Sequence, residues 1–464
     1  MYKIRFENLG SLAIHFIGIG GISMSGLAEL MLHEGASVSG SDTAPSELTE
    51  KLARAGARIG YPQKAANIPE ETDVIVATAA IGPDNLELVE AKKRGLPLLT
   101  RAELLGQVMS CYHLPIAVSG THGKTTTTSM ISMILLEAGL DPTVSLGGNL
   151  APLGGNFRIG SEDYFVMEAC EYKNSFLSFC PRIALILNVD ADHLDFFKDI
   201  EDIRSSFRKF ADKLPPEGTL IISRDIDRFE ELISGLSCRI VTFGVHPDAD
   251  YRPEQISYDE LARASFVLKR GSHAGELRLS LGVPGRHNVL NAAAAVAAID
   301  QAGSIPDDRI QAALLSFSGT DRRFQKKGSF GGVTVIDDYS HHPTEIRAAL
   351  TTAANYPHRR IWCVFQPHTY SRTKALFHDF AEALCLADEI VLADIYAARE
   401  TDDLGISSKL LAEEVSRLGG SCRYFPSFEE IENFLRANCV NGDLLITMGA
   451  GNITKLGDSL LQTR

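Results

Sequence analysis

Among the residues able to do chemistry, a lysine and a threonine behind a glycine-bounded turn come first. Gly120-Thr121-His122-Gly123-Lys124-Thr125 follows an apolar run at 114–118 and precedes a helix-forming stretch. It is a phosphate-binding loop shortened by two residues, since the usual spacing would put a glycine at Val118. Its chemistry survives the shortening: bare amides wrap phosphate oxygens, Lys124 neutralises β/γ charge, and the Thr125 hydroxyl can hold Mg²⁺. Glu168 and Glu171 come at the end of an apolar run at 164–167, and Asp192-His193-Leu194-Asp195 after another at 183–187. Strand ends of this kind form the ligand-binding rim of an open α/β sheet. A carboxylate and a histidine there could complete a metal site beside Thr125, although Mg²⁺ prefers oxygen ligands to a ring nitrogen.

A second glycine cluster, Gly18-Ile19-Gly20-Gly21-Ile22-Ser23, follows the run 12–17 and opens a helix-like stretch at 24–34. Asp42 sits at the end of the next strand, which makes a nicotinamide-binding fingerprint one reading and an oxidoreductase one function. The third glycine of that fingerprint falls on Ser23. The inference that stands is an anion, a phosphate or diphosphate, at a helix N-terminus.

These residues need parallel sheets to hold them. The chain has 464 residues, 45% hydrophobic and 22% charged. At roughly 150 residues per domain that is about three domains with real cores. Strand runs at 12–17, 37–40 and 73–78 define a first α/β unit. Runs at 114–118, 164–167, 183–187, 219–222 and 239–243, with an alanine-rich helix at 288–299, define a second. Runs at 333–336, 361–365, 389–393 and 444–448, with helices at 374–386, 408–418 and 428–438, define a third. The predicted domains are 1–112, 113–325 and 326–464. A net charge of −14 argues against nucleic acid as a partner. Eight cysteines without a C-x-x-C pair point to reduced thiols. The mixed, charged N-terminus and the lack of a long apolar run point to a cytoplasmic protein without a membrane partner.

Beyond the two glycine turns, further segments fall in one register: Glu168-Ala169-Cys170-Glu171, Asn188-Val189-Asp190-Ala191-Asp192-His193-Leu194-Asp195 and Gly285-Arg286-His287-Asn288-Val289-Leu290-Asn291. They continue with Arg322-Arg323-Phe324, Asp337-Asp338-Tyr339-Ser340-His341-His342-Pro343 and Gln366-Pro367-His368-Thr369-Tyr370-Ser371-Arg372-Thr373. On these motifs, across nearly the whole chain, the sequence resembles the Mur ligase family, and within it the branch that adds L-alanine. The resemblance implies an α/β chain of three domains: a Rossmann-like N-terminal one for the UDP-sugar, a P-loop ATPase-like central one for ATP, and a Rossmann-like C-terminal one for the amino acid.

The implied reaction joins L-alanine to the lactyl carboxylate of UDP-N-acetylmuramate, with ATP and Mg²⁺, through an acyl phosphate. Gly18, Ile19, Gly20, Gly21, Ser23, Asp42 and Thr78 would meet the UDP-sugar. Gly120, Thr121, His122, Gly123, Lys124, Thr125, Thr126, Asn288, Arg323 and Asp338 would meet ATP. Thr125, Glu171 and His193 would hold metal, while Tyr339, His341 and Arg372 would shape the amino-acid site. Lys124, Glu171, His193, Arg323, His341 and Arg372 would carry the catalysis. The expected assembly is a monomer or weak homodimer.

Blander readings stand beside these: Asn288 as a helix cap, Arg323 as a linker charge, His342-Pro343 as a turn. Departures from the family pattern are Cys170 and Tyr172-Lys173 around Glu171, and Thr369 where some relatives have arginine. Related ligases carry a carbamylated lysine near the position of Lys209, and none is expected here. A recycling ligase that attaches a preformed tripeptide to the same sugar nucleotide is the near alternative. An oxidoreductase and a non-catalytic nucleotide-binding regulator are the distant ones.

Overall fold

The computed structural model describes residues 2–462 except Arg5, Ala79, Ala80, 272–274 and Asp402. Its runs of consecutive apolar residues became strands buried at every position, such as Val74–Ala77, Ile183–Ile186, Ile361–Phe365 and Leu444–Met448. That pattern belongs to parallel strands covered by helices on both faces.

The first sheet has five parallel strands in the order Arg58–Gly60, Ser37–Ser41, Ala13–Ile17 (β1), Val74–Ala77 and Leu98–Thr100. The strand order reverses between β1 and Val74–Ala77, so the crevice for a ligand opens above their carboxyl ends. The first glycine turn leads from β1 to the helix Ile22–His33 (α1), and Thr78 lies beside it at the end of Val74–Ala77. Gly18 has φ +80, and a Cβ there would strike the Thr78 methyl at 2.7 Å. Only glycine fits such a position.

In the ten-stranded central sheet, Leu114–Ser119 (β2) lies between Tyr164–Glu168 (β3) and Ile183–Ile186 (β4), all parallel. The second glycine turn joins β2 to the helix Lys124–Glu137 (α2). Phosphate loop, Glu171 and the 188–195 turn therefore leave adjacent strands at the same end. The alanine-rich helix His287–Ala302 (α3) packs along α2, its small side chains allowing close approach. The third sheet has six strands, with Val333–Asp338 (β5) and Ile361–Phe365 flanking Leu444–Met448 and one antiparallel edge strand, Gln325–Phe330. The helix Pro343–Ala354 (α4) follows β5.

Sequence and structure part at several places, first in the central sheet, where Thr143–Leu150, Gly155–Arg158, Tyr251–Tyr258, Arg263–Arg270 and Glu276–Pro284 are strands outside the predicted runs. The predicted helix at 374–386 is two helices, Tyr370–Ala375 and Phe377–Leu384, broken at Leu376. Asn288 lies inside α3, not at its cap: its Nδ2 donates to the Pro284 carbonyl at 2.7 Å. No helix among the described residues is long and apolar enough to cross a membrane.

Candidate active site

The phosphate loop is held open by its neighbours. Gly120 and Gly123 have φ +136 and +85, and a Cβ on Gly123 would meet Asn291 Oδ1 at 2.6 Å. Asn188 braces the apex from both sides: its Oδ1 accepts from His122 N at 2.8 Å and its Nδ2 donates to His122 O at 3.0 Å. Asp190 N donates to Thr121 Oγ1 at 2.9 Å. Gly123, at the N-cap of α2, offers no side-chain partner to the first-turn amides, which leaves them to an anion.

Lys124 lies folded onto this loop. Its Nζ donates to Thr121 O at 3.0 Å, to the Gly120 carbonyl, and to both Glu171 oxygens at 3.0 and 3.2 Å. Burial alone would lower its pKa, but Glu171, with Cys170 and Glu168 behind it, raises it above the usual lysine value. Glu171 is 2% exposed. A carboxylate so deeply buried needs a cation. When Lys124 turns to a phosphate, that need falls to a metal, and the Thr125 hydroxyl and Glu171 supply the hard oxygen donors Mg²⁺ takes. His193, at φ +54, shares a cavity of about 680 Å³ with Thr125 and packs its ring 4.6 Å from that of Tyr172. Burial pushes the Cys170 thiol up to about 11, with Glu171 adding to it, so that thiol is inert at neutral pH.

Two cavities meet at the loop. One, of about 410 Å³, is lined by His122, Gly123, Thr125 and Thr126, by Asn288 and Asn291 of α3, by Arg323, and by Asp338 and Glu345 of the third sheet unit. The other holds Thr121, Lys124, His193, Arg322, Arg323, Lys327, Tyr339 and His341. Arg323 borders both, and its guanidinium lies 5.3 Å from the Tyr339 ring centre. Asp338 reaches the first cavity, but both its oxygens are engaged: Oδ2 by Phe324 N at 2.7 Å, Oδ1 by Ser340 N at 2.8 Å and by the Ser340 hydroxyl. Burial raises its pKa.

Burial outweighs Glu345 and pushes His341 down to about 4, so its imidazole is neutral at pH 7. Arg372 is turned away from the larger cavity. Its Nε and Nη2 donate to Asp192 Oδ1 at 2.9 and 2.8 Å, both side chains being 10% exposed or less. Against burial, Arg372 holds Asp192 well below the usual carboxylate range. Thr369 accepts from Arg372 N at 3.4 Å and caps the short helix that carries it.

His122, expected at ATP, and His342, read as a turn residue, join the central and C-terminal units together with Asp190, Thr344 and Glu345, to which the sequence reading gave no role. His122 Nε2 meets Asp190 Oδ2 and its Nδ1 meets Glu345 Oε1, each at 3.1 Å. Thr344 Oγ1 donates to Asp190 at 2.7 Å, and His342 Nε2 donates to Ala191 O at 3.0 Å. Burial opposes charge on His122, yet the two carboxylates raise it to about 9. His122, Asp190 and His342 form a group compact enough for a metal, among the described residues. But His122 is a cation there, and His342 Nδ1 already accepts from Thr344 N at 3.2 Å. The group is an ionic clasp. Asn188, Asp190 and Asp192 stood in a quoted motif whose acidic alternation was the available signal; Glu345 had only its first-turn position on α4.

The N-terminal crevice is a third cavity, of about 1020 Å³, lined by Gly18, Gly20, Gly21, Ser23, Asp42 and Thr78, among others. Ile19 is buried beneath it. Asp42 Oδ2 accepts from Gly20 N at 2.8 Å, so it ties the glycine turn to the end of the next strand. Ile22 and Gly147 border both this cavity and the one around Lys124, which makes the two neighbours along one path.

Three family models cover the chain in order: "Mur ligase family, catalytic domain" over residues 13–113, "Mur ligase middle domain" over 118–299, and "Mur ligase, glutamate ligase domain" over 322–451. A UDP-N-acetylmuramate–L-alanine ligase of Lachnospira eligens is 58% identical over 463 residues, covering 100% of both chains. The crystal structure of the UDP-N-acetylmuramate-alanine ligase of Thermotoga maritima superposes with a TM-score of 0.80 at 31% identity, covering 97% of this chain and 98% of that one. A murein peptide ligase of Psychrobacter arcticus has a TM-score of 0.71 at 26% identity, with the same coverage.

Proposed function

The chain belongs to the Mur ligase family, and on that premise we propose that it joins L-alanine to UDP-N-acetylmuramate at the expense of ATP, a step of peptidoglycan precursor synthesis. The observation that carries the reading is the full-length 58% identity to an L-alanine-adding ligase. The phosphate loop, Glu171, His193 and Arg323 converging around two joined cavities support it. The tripeptide-recycling alternative is less well supported, since the murein peptide ligase is the more distant of the two solved structures.

A carboxylate acylates poorly because oxide leaves poorly. Phosphorylation by ATP turns it into an acyl phosphate; the alanine amine then attacks the acyl carbon and phosphate leaves. Both steps gather anions, so fixed cations lower the barrier. Lys124 leaves Glu171 for the β/γ-phosphates, and Arg323 approaches the γ-phosphate from the domain junction. Asn288, with Thr126 and His122, lines the nucleotide's place. Thr125 and Glu171 would hold one Mg²⁺ and His193 a second, which would neutralise developing phosphate charge. Asp338 acts on the nucleotide side chiefly by fixing the 324–340 junction. Tyr339, neutral His341 and Arg372 border the amino acid; the Arg372 fork suits its carboxylate once Asp192 releases it.

The proposed domains are 1–112 for the UDP-sugar, 113–325 for ATP and 326–464 for L-alanine. The assembly in this reading is a monomer or weak homodimer. Eight free cysteines and the use of ATP suit the cytoplasm. The test is phosphate release from ATP with Mg²⁺ and UDP-N-acetylmuramate across amino acids and the tripeptide. Release with L-alanine, and the amide by mass, is expected. Release with the tripeptide alone would move the protein to recycling.

A further inference from the structure

The N-terminal crevice poses an electrostatic problem. A diphosphate there would meet the uncapped N-terminus of α1 but also two carboxylates, Asp42 and Asp84. Asp42 already takes the Gly20 amide. Among the described lining residues the sole basic side chain is Arg399, which comes from the C-terminal unit. Its backbone is fixed although its side chain is exposed. The next residue, Glu400, accepts from Tyr370 N and Ser371 N at 2.5 and 3.1 Å, and Tyr396 N donates to Pro367 O at 2.9 Å. Arg322 and Arg372 are spent on Asp337 and Asp192, whereas Arg399 has no ion-pair partner among the described residues.

We propose that Arg399 binds the diphosphate of the sugar nucleotide from the C-terminal domain, so that filling the N-terminal crevice itself draws the outer domains together. This rests on the reading that the crevice takes UDP-N-acetylmuramate. The substrate's other anion, the lactyl carboxylate, must reach Lys124, and Arg399 does not line that cavity. A guanidinium fork is suited to two phosphate oxygens, and placing it on the far domain makes affinity depend on closure.

The test uses the full chain and calorimetric titration with UDP-N-acetylmuramate and, separately, ADP. Arg399→Ala weakens the sugar nucleotide by about 10- to 100-fold, the range one charge-assisted hydrogen bond supplies. It leaves ADP affinity unchanged, flattens the salt dependence of sugar-nucleotide binding, and abolishes the compaction that sugar-nucleotide binding is expected to produce in small-angle scattering of the unaltered chain. Arg399→Lys restores part of the affinity. Ser23→Asp, which puts a negative charge at the α1 N-terminus, separates the two levels of the argument. If Ser23→Asp weakens binding and Arg399→Ala does not, the arginine assignment is wrong. If neither does, the crevice is not the diphosphate site and the proposal falls with it.

Discussion

Arg372→Ala removes one half of a buried ion pair that crosses a domain boundary. Asp192 lies on the turn after β4, and Arg372 on the helix Tyr370–Ala375 of the third unit. The substitution leaves Asp192, 8% exposed as a side chain, with the His193 amide at 2.7 Å as its remaining donor. Removing one partner of a buried pair costs roughly 3–5 kcal/mol. Domain separation lets Asp192 regain water, so the cost falls on the joined arrangement. At about 1.4 kcal/mol per decade, the lower end lowers the joined population by about 100-fold. Asp192→Asn frees the same fork while weakening the joint. The two variants therefore move KM for L-alanine in opposite directions, up for Arg372→Ala and down for Asp192→Asn, while both lower kcat. Phosphate release at varied L-alanine measures this, with small-angle scattering to follow closure. An Arg372→Ala enzyme within threefold of wild-type kcat/KM, or a KM shift of the same sign in both variants, would refute the reasoning.

Lys124→Ala strips the phosphate loop of its cation and leaves Glu171 buried without one, so ADP release falls by at least about 100-fold while calorimetry still shows the sugar nucleotide bound. His122, raised from 6.5 to about 9, strengthens its clasp fully below pH 6.5 and loses that contribution as pH rises through 9. The contribution is roughly 3 kcal/mol shared by two carboxylates, so melting temperature should drop between pH 6.5 and 9.5 in the wild type and drop less in Glu345→Gln. Gly106→Ala drives a Cβ into the Ser178 carbonyl where the N-terminal and central units pack. Such overpacking costs about 1–3 kcal/mol, visible as a lower melting temperature with the pH profile unchanged.

What the sequence disclosed follows from how local each signal is. Uninterrupted apolar runs are strands buried on both faces, so β4, Ile361–Phe365 and Leu444–Met448 stood out within a residue. Glycines of the two turns were legible because backbone geometry demands them at Gly18, Gly120 and Gly123. The break at Leu376 was not, since Tyr370–Leu384 carries no proline or glycine to mark it. Contacts between units were hidden for a different reason. His122 and Glu345 are 223 positions apart, and Arg372 and Asp192 180. No periodicity links such pairs, so Arg372 was legible as a cation for a carboxylate but not as one already holding Asp192.

That hidden layer bears on how the two half-reactions are ordered. The turn after β4 touches the phosphate loop through Asn188 and Asp190, and the C-terminal unit through Asp190, Ala191 and Asp192. One segment thus reads the nucleotide site and holds the amino-acid domain. Movement of Lys124 from Glu171 to a phosphate changes the charge beside His193, the next residue after Asp192. Release of the Arg372 fork then becomes easier with ATP in place than without it. On this geometry the alanine carboxylate competes with Asp192 for Arg372 least well in the empty enzyme, so L-alanine should bind after the nucleotide. Initial-rate patterns with a dead-end ATP analogue decide it: inhibition uncompetitive with respect to L-alanine would show that L-alanine can bind before the nucleotide, against this coupling.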